Sequence, residues 1–314
     1  MATSGSINFT QTRDEIIKDA FILLGVYGEQ EAVRGGDNAL ASRTLNAMIK
    51  AWQGRGINLF AQTEATIFLE KAQVKYSLNG TSGDQASNET GIVETDMTAA
   101  SILGASTVDV TSVTGMTAGD VIGVVLDDGT MDWDTIASIA TLEVTLTGTL
   151  TSAAAKGNRV YTYTTLLARP MDITDIRLRN DGDTDRTITR ISREEYFGMS
   201  NKTSQSTPTM YFYDRQNTTG YLYVWPAPDT PNDRLKVTYI RTLEDFDSSS
   251  DNPDLPQEWI EAMKYQLAVR LAPAFGKDQK LASLAPLASS MLESMLEWDN
   301  EHTSLSVTPD MGPS

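Results

Sequence analysis

The chain has 314 residues, 40% of them hydrophobic and 21% charged, with a net charge of −17, enough for two or three folded domains. It holds no cysteine and one histidine, His302, which excludes disulfides, thiolate metal sites, iron–sulfur clusters and a multi-histidine metal centre. No run of ~18 apolar residues predicts a transmembrane helix. The opening MATSGSINFTQTRDE lacks the basic start and apolar core of a signal peptide, so the expectation is a chain that stays in the cytoplasm where it is made.

In chain order, residues 1–11 read as a loose polar arm. Thr12-Arg-Asp-Glu15 is a capping box, and behind it Ile16, Ala20 and Leu23, flanked by Ile17, Phe21 and Leu24, form a helical stripe that ends at Gly25. After a glycine-rich turn, Asp37 is expected to cap a second helix carrying Ala41, Leu45, Met48 and Trp52, stopped by Gly54-Arg-Gly56. Thr66–Leu69 and Val74–Tyr76 read as strands, and Asn79–Thr90 as turn and linker. Residues 91–165 change texture. They are rich in Thr, Val and Gly, with a hairpin signal at Asp128-Gly129 and alternation at Leu142–Leu146, and predict an inserted all-β module.

A second β region spans 166–249. Ile176 and Leu178 alternate with arginines, Met210–Tyr213 and Tyr221–Trp225 are aromatic strands joined by the loop Asp214–Gly220, and Leu235, Val237 and Tyr239 complete a third. Pro256 suits the first turn of a helix bearing Ile260, Met263, Leu267 and Leu271. Gly276 stops it, and Asp278 is expected to cap a last helix with Leu281, Leu284, Ala288, Met291 and Met295 on one face and a kink at Pro286. Residues 301–314 read as an extended tail. The expected fold class is α+β: residues 1–60 and 250–300 form one helical bundle, with strands and linker at 61–90 and β-rich, sandwich or barrel-like modules inserted between the ends.

The acidity is uneven. Residues 89–165 hold ten acids and two bases and residues 242–314 thirteen and four, while 166–241 carry ten acids and eleven bases. No basic stripe predicts tight nucleic-acid binding. Catalytic and ligand motifs are equally scarce. There is no Walker A sequence and no G-x-G-x-x-G. Asp181-Gly-Asp-Thr-Asp185 lacks the glycine and glutamate of a calcium loop at their required places and reads as a solvated turn. Asp127, Asp128, Asp132 and Asp134 offer carboxylate pairs of the kind a glycan hydrolase needs, without a fixed separation. Tyr211, Tyr213, Tyr221, Tyr223 and Trp225 fit sheet packing or a subunit contact, and less well a stacking platform. No catalytic, cofactor or metal residues are assigned, and the expectation is not an enzyme.

Three groups of segments, in order, resemble the head-to-tail adaptor proteins of tailed bacteriophages, the tail accessory factors or packaged-DNA stabilisation proteins of short-tailed phages. They are Arg13–Gly25 with Ala39–Gly56; Ile191–Tyr196 with Thr207–Asp214 and Gly220–Pro226; and Leu255–Trp259 with Leu267–Pro273 and Phe275-Gly276. The stretch 91–165 stands outside this resemblance. The resemblance implies a structural virion protein at the head–tail junction, assembled in the host cytoplasm as a ring of commonly twelve copies beneath the portal. Its helical part would build the ring, and its β part would face a nozzle or fibre protein. Packaged DNA would pass through the lumen without specific binding, with no membrane and no cofactor involved. The C-terminal tail would reach the portal, which makes Leu305, Val307 and Met311 the portal-docking residues. Another tail subunit (nozzle, tube or fibre attachment) is the alternative, and a cell-wall glycan hydrolase a more distant one.

Overall fold

The computed structural model of the protein describes residues 5–55 and 59–299. The chain mixes helices and β-sheets and divides into two compact units, Met1–Ala61 with Leu243–Ser314, and Gln62–Thr242.

The first unit holds α1 (Arg13–Leu24), α2 (Gly35–Gln53), α4 (Trp259–Leu271) and α5 (Asp278–Trp298). At the start of α1 the Glu15 N–H donates to Thr12 Oγ1 and the Thr12 N–H donates to the Glu15 carboxylate at 2.8 Å, so two free helix-end donors are satisfied reciprocally. Gly25, at φ 67°, closes the helix in a left-handed turn that a side chain would disfavour. Ile16, Ile17, Ala20, Phe21 and Leu24 are buried, and Phe21 meets Phe275 edge-on at 5.0 Å. The α2 helix starts at Gly35, earlier than the Asp37 cap expected from sequence. Asp37 instead lies in the first turn and accepts the Tyr27 hydroxyl, a place where a negative charge favours the helix end. Trp52 of α2 packs on Trp259 of α4 with ring centroids 5.8 Å apart.

Pro256 precedes α4, and its carbonyl accepts the Trp259 N–H at 3.0 Å; that turn, rather than a helical first turn, is where the proline sits. In the same way Asp278 is the first residue of α5 and Lys277 holds the cap position. The α5 helix runs on through Pro286 and buries Leu284, Ala288 and Leu292. Leu281, Met291 and Met295 are half-buried, so the buried stripe is narrower than predicted and includes Leu292. A helix lying along one neighbour, α4, buries residues four apart and leaves the flanks of a wider apolar face uncovered.

The second unit contains a β-sandwich and a small barrel. One sandwich sheet has the order β11 (Asp185–Thr187), β10 (Asp172–Arg179), β15 (Arg234–Ile240), β1 (Gln62–Phe68), β3 (Ala86–Asn88); the other is β12 (Thr189–Arg190), β13 (Met210–Arg215), β14 (Gly220–Trp225), β2 (Lys75–Leu78). The chain thus returns after residue 165 to the sheets it began before residue 90: β1 pairs with β15 and β2 with β14. Residues 86–88, expected as linker, add a strand to β1. Alternate residues of the two sheets, among them Ile67, Tyr76, Ile176, Tyr211, Tyr213, Leu222, Val224 and Val237, share one core, as period-two alternation requires when two sheets face each other. Between Ser192 and Glu195 a second capping box starts a short helix, α3 (Arg193–Gly198).

The barrel has the strand order β4 (Val93–Asp96), β9 (Arg159–Tyr163), β6 (Val121–Val125), β7 (Met131–Ala140), β8 (Glu143–Leu146), β5 (Thr107–Asp109). Its two edges meet: just beyond β4 and β5, Met97 pairs with Val110, and the Thr98 and Thr111 N–H groups donate across the gap at 2.9 Å. That bridge and its two hydrogen bonds close the sheet at one end of β4 and β5. Val108, Val110, Ile122, Val124, Ile136, Val144, Leu146 and Val160 fill the interior.

Candidate interaction surfaces

A groove of roughly 510 Å³ runs between α1 and α4, lined by Phe9, Ile22, Leu23, Ile260, Tyr265 and the charged residues Asp19, Glu258, Glu261 and Lys264. Phe9 and Ile22 expose 62% and 37% of their surface. Lys264 pairs with Asp19 at 2.8 Å. The groove is apolar below and acidic at its rim.

In the second unit the barrel is joined to the sandwich by an aromatic box and an ion network. Phe68, at the end of β1, lies 5.1 Å from Trp133, 5.2 Å from Tyr161 and 5.9 Å from Tyr163. The Trp133 indole N–H donates to Glu70 at 2.7 Å. Burial pushes the Glu70 carboxyl up, and that hydrogen bond opposes the shift. Gly123, opposite Trp133 in the β6–β7 ladder, leaves room for the indole: an added Cβ would lie 2.5 Å from the ring.

Beside the box Arg234 is fully buried. Its guanidinium donates to the Tyr161 hydroxyl at 2.8 Å and pairs with Glu94 and Asp183, each at 3.0 Å. Arg159 of the barrel pairs with Asp181 at 2.9 Å and Asp96 at 3.2 Å. Arg179 holds Asp185 at 2.7 Å, and this hydrogen bond keeps the Asp185 carboxyl below its ordinary range. Arg177 also reaches Asp185, at 3.6 Å. The segment 181–185 is thus an exposed turn, as read from sequence, whose acids pair with four arginines. Lys236, also buried, pairs with Glu89 at 3.0 Å and donates to Thr66.

The carboxylates of 127–134 are occupied by the barrel's own backbone. Asp127 accepts from the Ala155 N–H (2.8 Å), Asp132 from the Thr151 N–H (2.7 Å) and Asp134 from the Gly148 N–H (2.7 Å), while Asp128 accepts from the Thr130 N–H (3.0 Å) and hydroxyl. These carboxylates tie loops to strands, the short-range role typical of aspartate. Of the aromatic residues singled out by sequence, Tyr211 and Tyr213 enter the sandwich core, and Tyr213 donates to the Pro170 carbonyl at 2.6 Å. Tyr221, Tyr223 and Trp225 lie on the outer face, where Tyr223 stacks on Phe212 at 5.8 Å and α3 adds Tyr196 and Phe197. Strand alternation separates the five into two sets. The expected portal-docking residues Leu305, Val307 and Met311 lie outside the described residues. Among the described residues no group of acids and histidine is placed to hold a metal ion, and no helix is long and apolar enough to cross a membrane.

A scan against protein families matches the SU10 adaptor protein family over residues 97–308. The chain belongs to the SU10 adaptor protein family. It is accordingly a structural component of a bacteriophage virion. The family match takes in residues 97–165, the stretch that the sequence resemblance leaves aside, so most of the barrel lies within the family span; α1 and α2 precede it. Curated proteins yield no match. Two solved structures show weak likeness: VP17, a capsid protein of bacteriophage P23-77, with 13% identity over 60% of this chain and 77% of that one and a TM-score of 0.12; and the VP16–VP17 complex of the two major capsid proteins of the same phage, with 12% identity over 61% and 75% and a TM-score of 0.12. Likeness at that level bears on neither fold nor function.

Proposed function

We propose that this adaptor-family protein is a head-to-tail connector. Copies of the chain, twelve by the resemblance, form a ring beneath the portal of the filled capsid, help retain the packaged DNA, and present the platform on which the tail is assembled. The observation that carries this reading is the family match over residues 97–308. The net charge of −17 is in keeping with it, since an acidic surface repels phosphate and lets DNA pass without adhering. In this reading the helical unit builds the ring and the β unit faces the nozzle or fibre protein. The tail Thr303–Ser314 orders on the portal, with Leu305, Val307 and Met311 as apolar contacts.

Electron microscopy of virions labelled with an antibody raised against residues 97–165 tests the placement. Label at the junction of head and tail is expected. Label confined to the distal tail, or spread over the capsid surface, would overturn it.

A further inference from the structure

We infer that the groove between α1 and α4 receives the exposed face of α2 from a second copy of this chain. This rests on the ring reading above and names the contact that links successive copies.

The groove and the α2 face are complementary in polarity and charge. Ile22, Leu23, Ile260 and Tyr265 give the groove an apolar lining, and Glu258 and Glu261 stand exposed at its rim. Neither glutamate has an ion-pair partner among the described residues, because the groove's only lysine is held by Asp19. On α2 the exposed residues Ala39, Arg43, Ala47 and Ala51 recur every four positions and so share one face. Arg43, and Arg34 at the helix start, also lack ion-pair partners among the described residues. A helix face of alanines with one arginine can approach closely. Its methyl groups then meet the apolar lining while the guanidinium reaches the rim carboxylates, with the planar donor geometry that suits such pairs.

The two surfaces also lie on different sides of the subunit. Asn38 of α2 donates to Asp14, whereas Lys264 of the groove pairs with Asp19. Five residues along a helix of 3.6 residues per turn, those two aspartates point about 140° apart around α1. A patch and its complement on different sides of one chain make a heterologous contact, which propagates from copy to copy and closes into a ring when the rotation allows. Groove against groove would set acidic rim against acidic rim and is disfavoured.

The test is a charge exchange on the full chain. Arg43→Glu, the pair Glu258→Arg with Glu261→Arg, and all three together are compared with the unaltered chain by light scattering, with and without purified portal protein. Circular dichroism melts confirm that each variant is folded. Arg43→Glu alone and the glutamate pair alone are each expected to weaken self-assembly more than about tenfold in concentration, since like charges are then opposed. The triple variant, with the charges exchanged, is expected to recover it. If the variants reversed on one side assemble like the unaltered chain, or the triple variant assembles no better than they do, the interface is wrong while the ring reading stands. If the unaltered chain forms no ring with or without portal, the ring reading falls and the interface falls with it.

Discussion

The buried guanidinium of Arg234 makes the sharpest energetic prediction. Its side chain is 0% exposed, whereas its partners Glu94 and Asp183 are 29% and 65% exposed. The two halves of the network are therefore unequal. In Arg234→Met the apolar stem is replaced by a side chain of similar length, and both carboxylates can turn to water. What is lost is the donor to Tyr161 and two charge-assisted bonds to acids that already touch solvent, about 1–3 kcal/mol. In the pair Glu94→Gln with Asp183→Asn the positive charge stays in a dry site with weaker acceptors, and stranding such a charge costs about 3–5 kcal/mol. Asparagine is tolerated at the φ of 57° that Asp183 adopts, so backbone strain does not confound the second variant. At about 2–4 °C per kcal/mol for a domain of 150–250 residues, the β unit should melt ~2–12 °C lower in Arg234→Met and ~6–20 °C lower in the amide pair. Adding Arg234→Met to the amide pair should restore stability toward that of Arg234→Met alone, because the stranded charge is gone. Melting of the full chain followed by near-ultraviolet circular dichroism reads all three. A lower melting temperature for Arg234→Met than for the amide pair would refute the reasoning.

Other expectations follow from the same unit. Gly123→Ala drives a methyl into the Trp133 ring and should cost about 1–3 kcal/mol by urea unfolding; no loss would mean the indole has room to move. Phe68→Ala opens the aromatic box and should cost about 3–5 kcal/mol by the same measurement. Glu70 has its carboxyl raised by burial, so the folded state keeps a proton that the unfolded chain has already released, and stability falls as pH rises from the ordinary carboxylate range through the raised value. Glu70→Gln keeps an acceptor for Trp133 and removes that loss. Its stability relative to the parent should therefore be higher at neutral pH than below the carboxylate range, and a pH-independent difference would count against the burial argument. Asp132→Asn should weaken the tie to Thr151 by about 0.5–1.5 kcal/mol, and glycan release from peptidoglycan by the parent chain, abolished in this variant, would revive a catalytic reading of the barrel.

Much of the local structure is legible in the sequence because it is set by neighbours along the chain. The Thr12–Glu15 box, the Gly25 stop and the aromatic hairpin Met210–Trp225 each need only a few adjacent residues. The second capping box, Ser192–Glu195, carries the same signal and marks a helix that the reading above does not assign. What escapes is long-range. The pairing of β1 with β15 and the closure of the barrel at Met97 and Val110 join residues far apart, and no local pattern encodes them. The turn at 181–185 is exposed, as its sequence suggests, but the arginines that pair with its acids, Arg159, Arg177, Arg179 and Arg234, come from elsewhere in the chain and are not legible from the motif. The aromatic residues of β13 and β14 read as one cluster in sequence, and alternation splits them between core and surface. The inward face of α5 is legible from its period, since Leu281, Leu284, Ala288, Met291 and Met295 are all buried or half-buried; the depth of burial, greatest at Leu284, Ala288 and Leu292, depends on the neighbour α4. The groove between α1 and α4 is not legible in the sequence: the helical period places Leu23 in the buried stripe and leaves Ile22 off it, and only the packing of α4 shows that both line a groove.

The central claim is that this chain is an adaptor that docks on a portal through its C-terminal segment. Light scattering of the full chain and of a chain ending at Asn300, each with and without purified portal protein, tests it directly. The account predicts a ring-sized complex with portal for the full chain, and its loss in the shortened one. A full chain that never binds portal at any concentration, or a shortened chain that binds it equally well, would contradict the account.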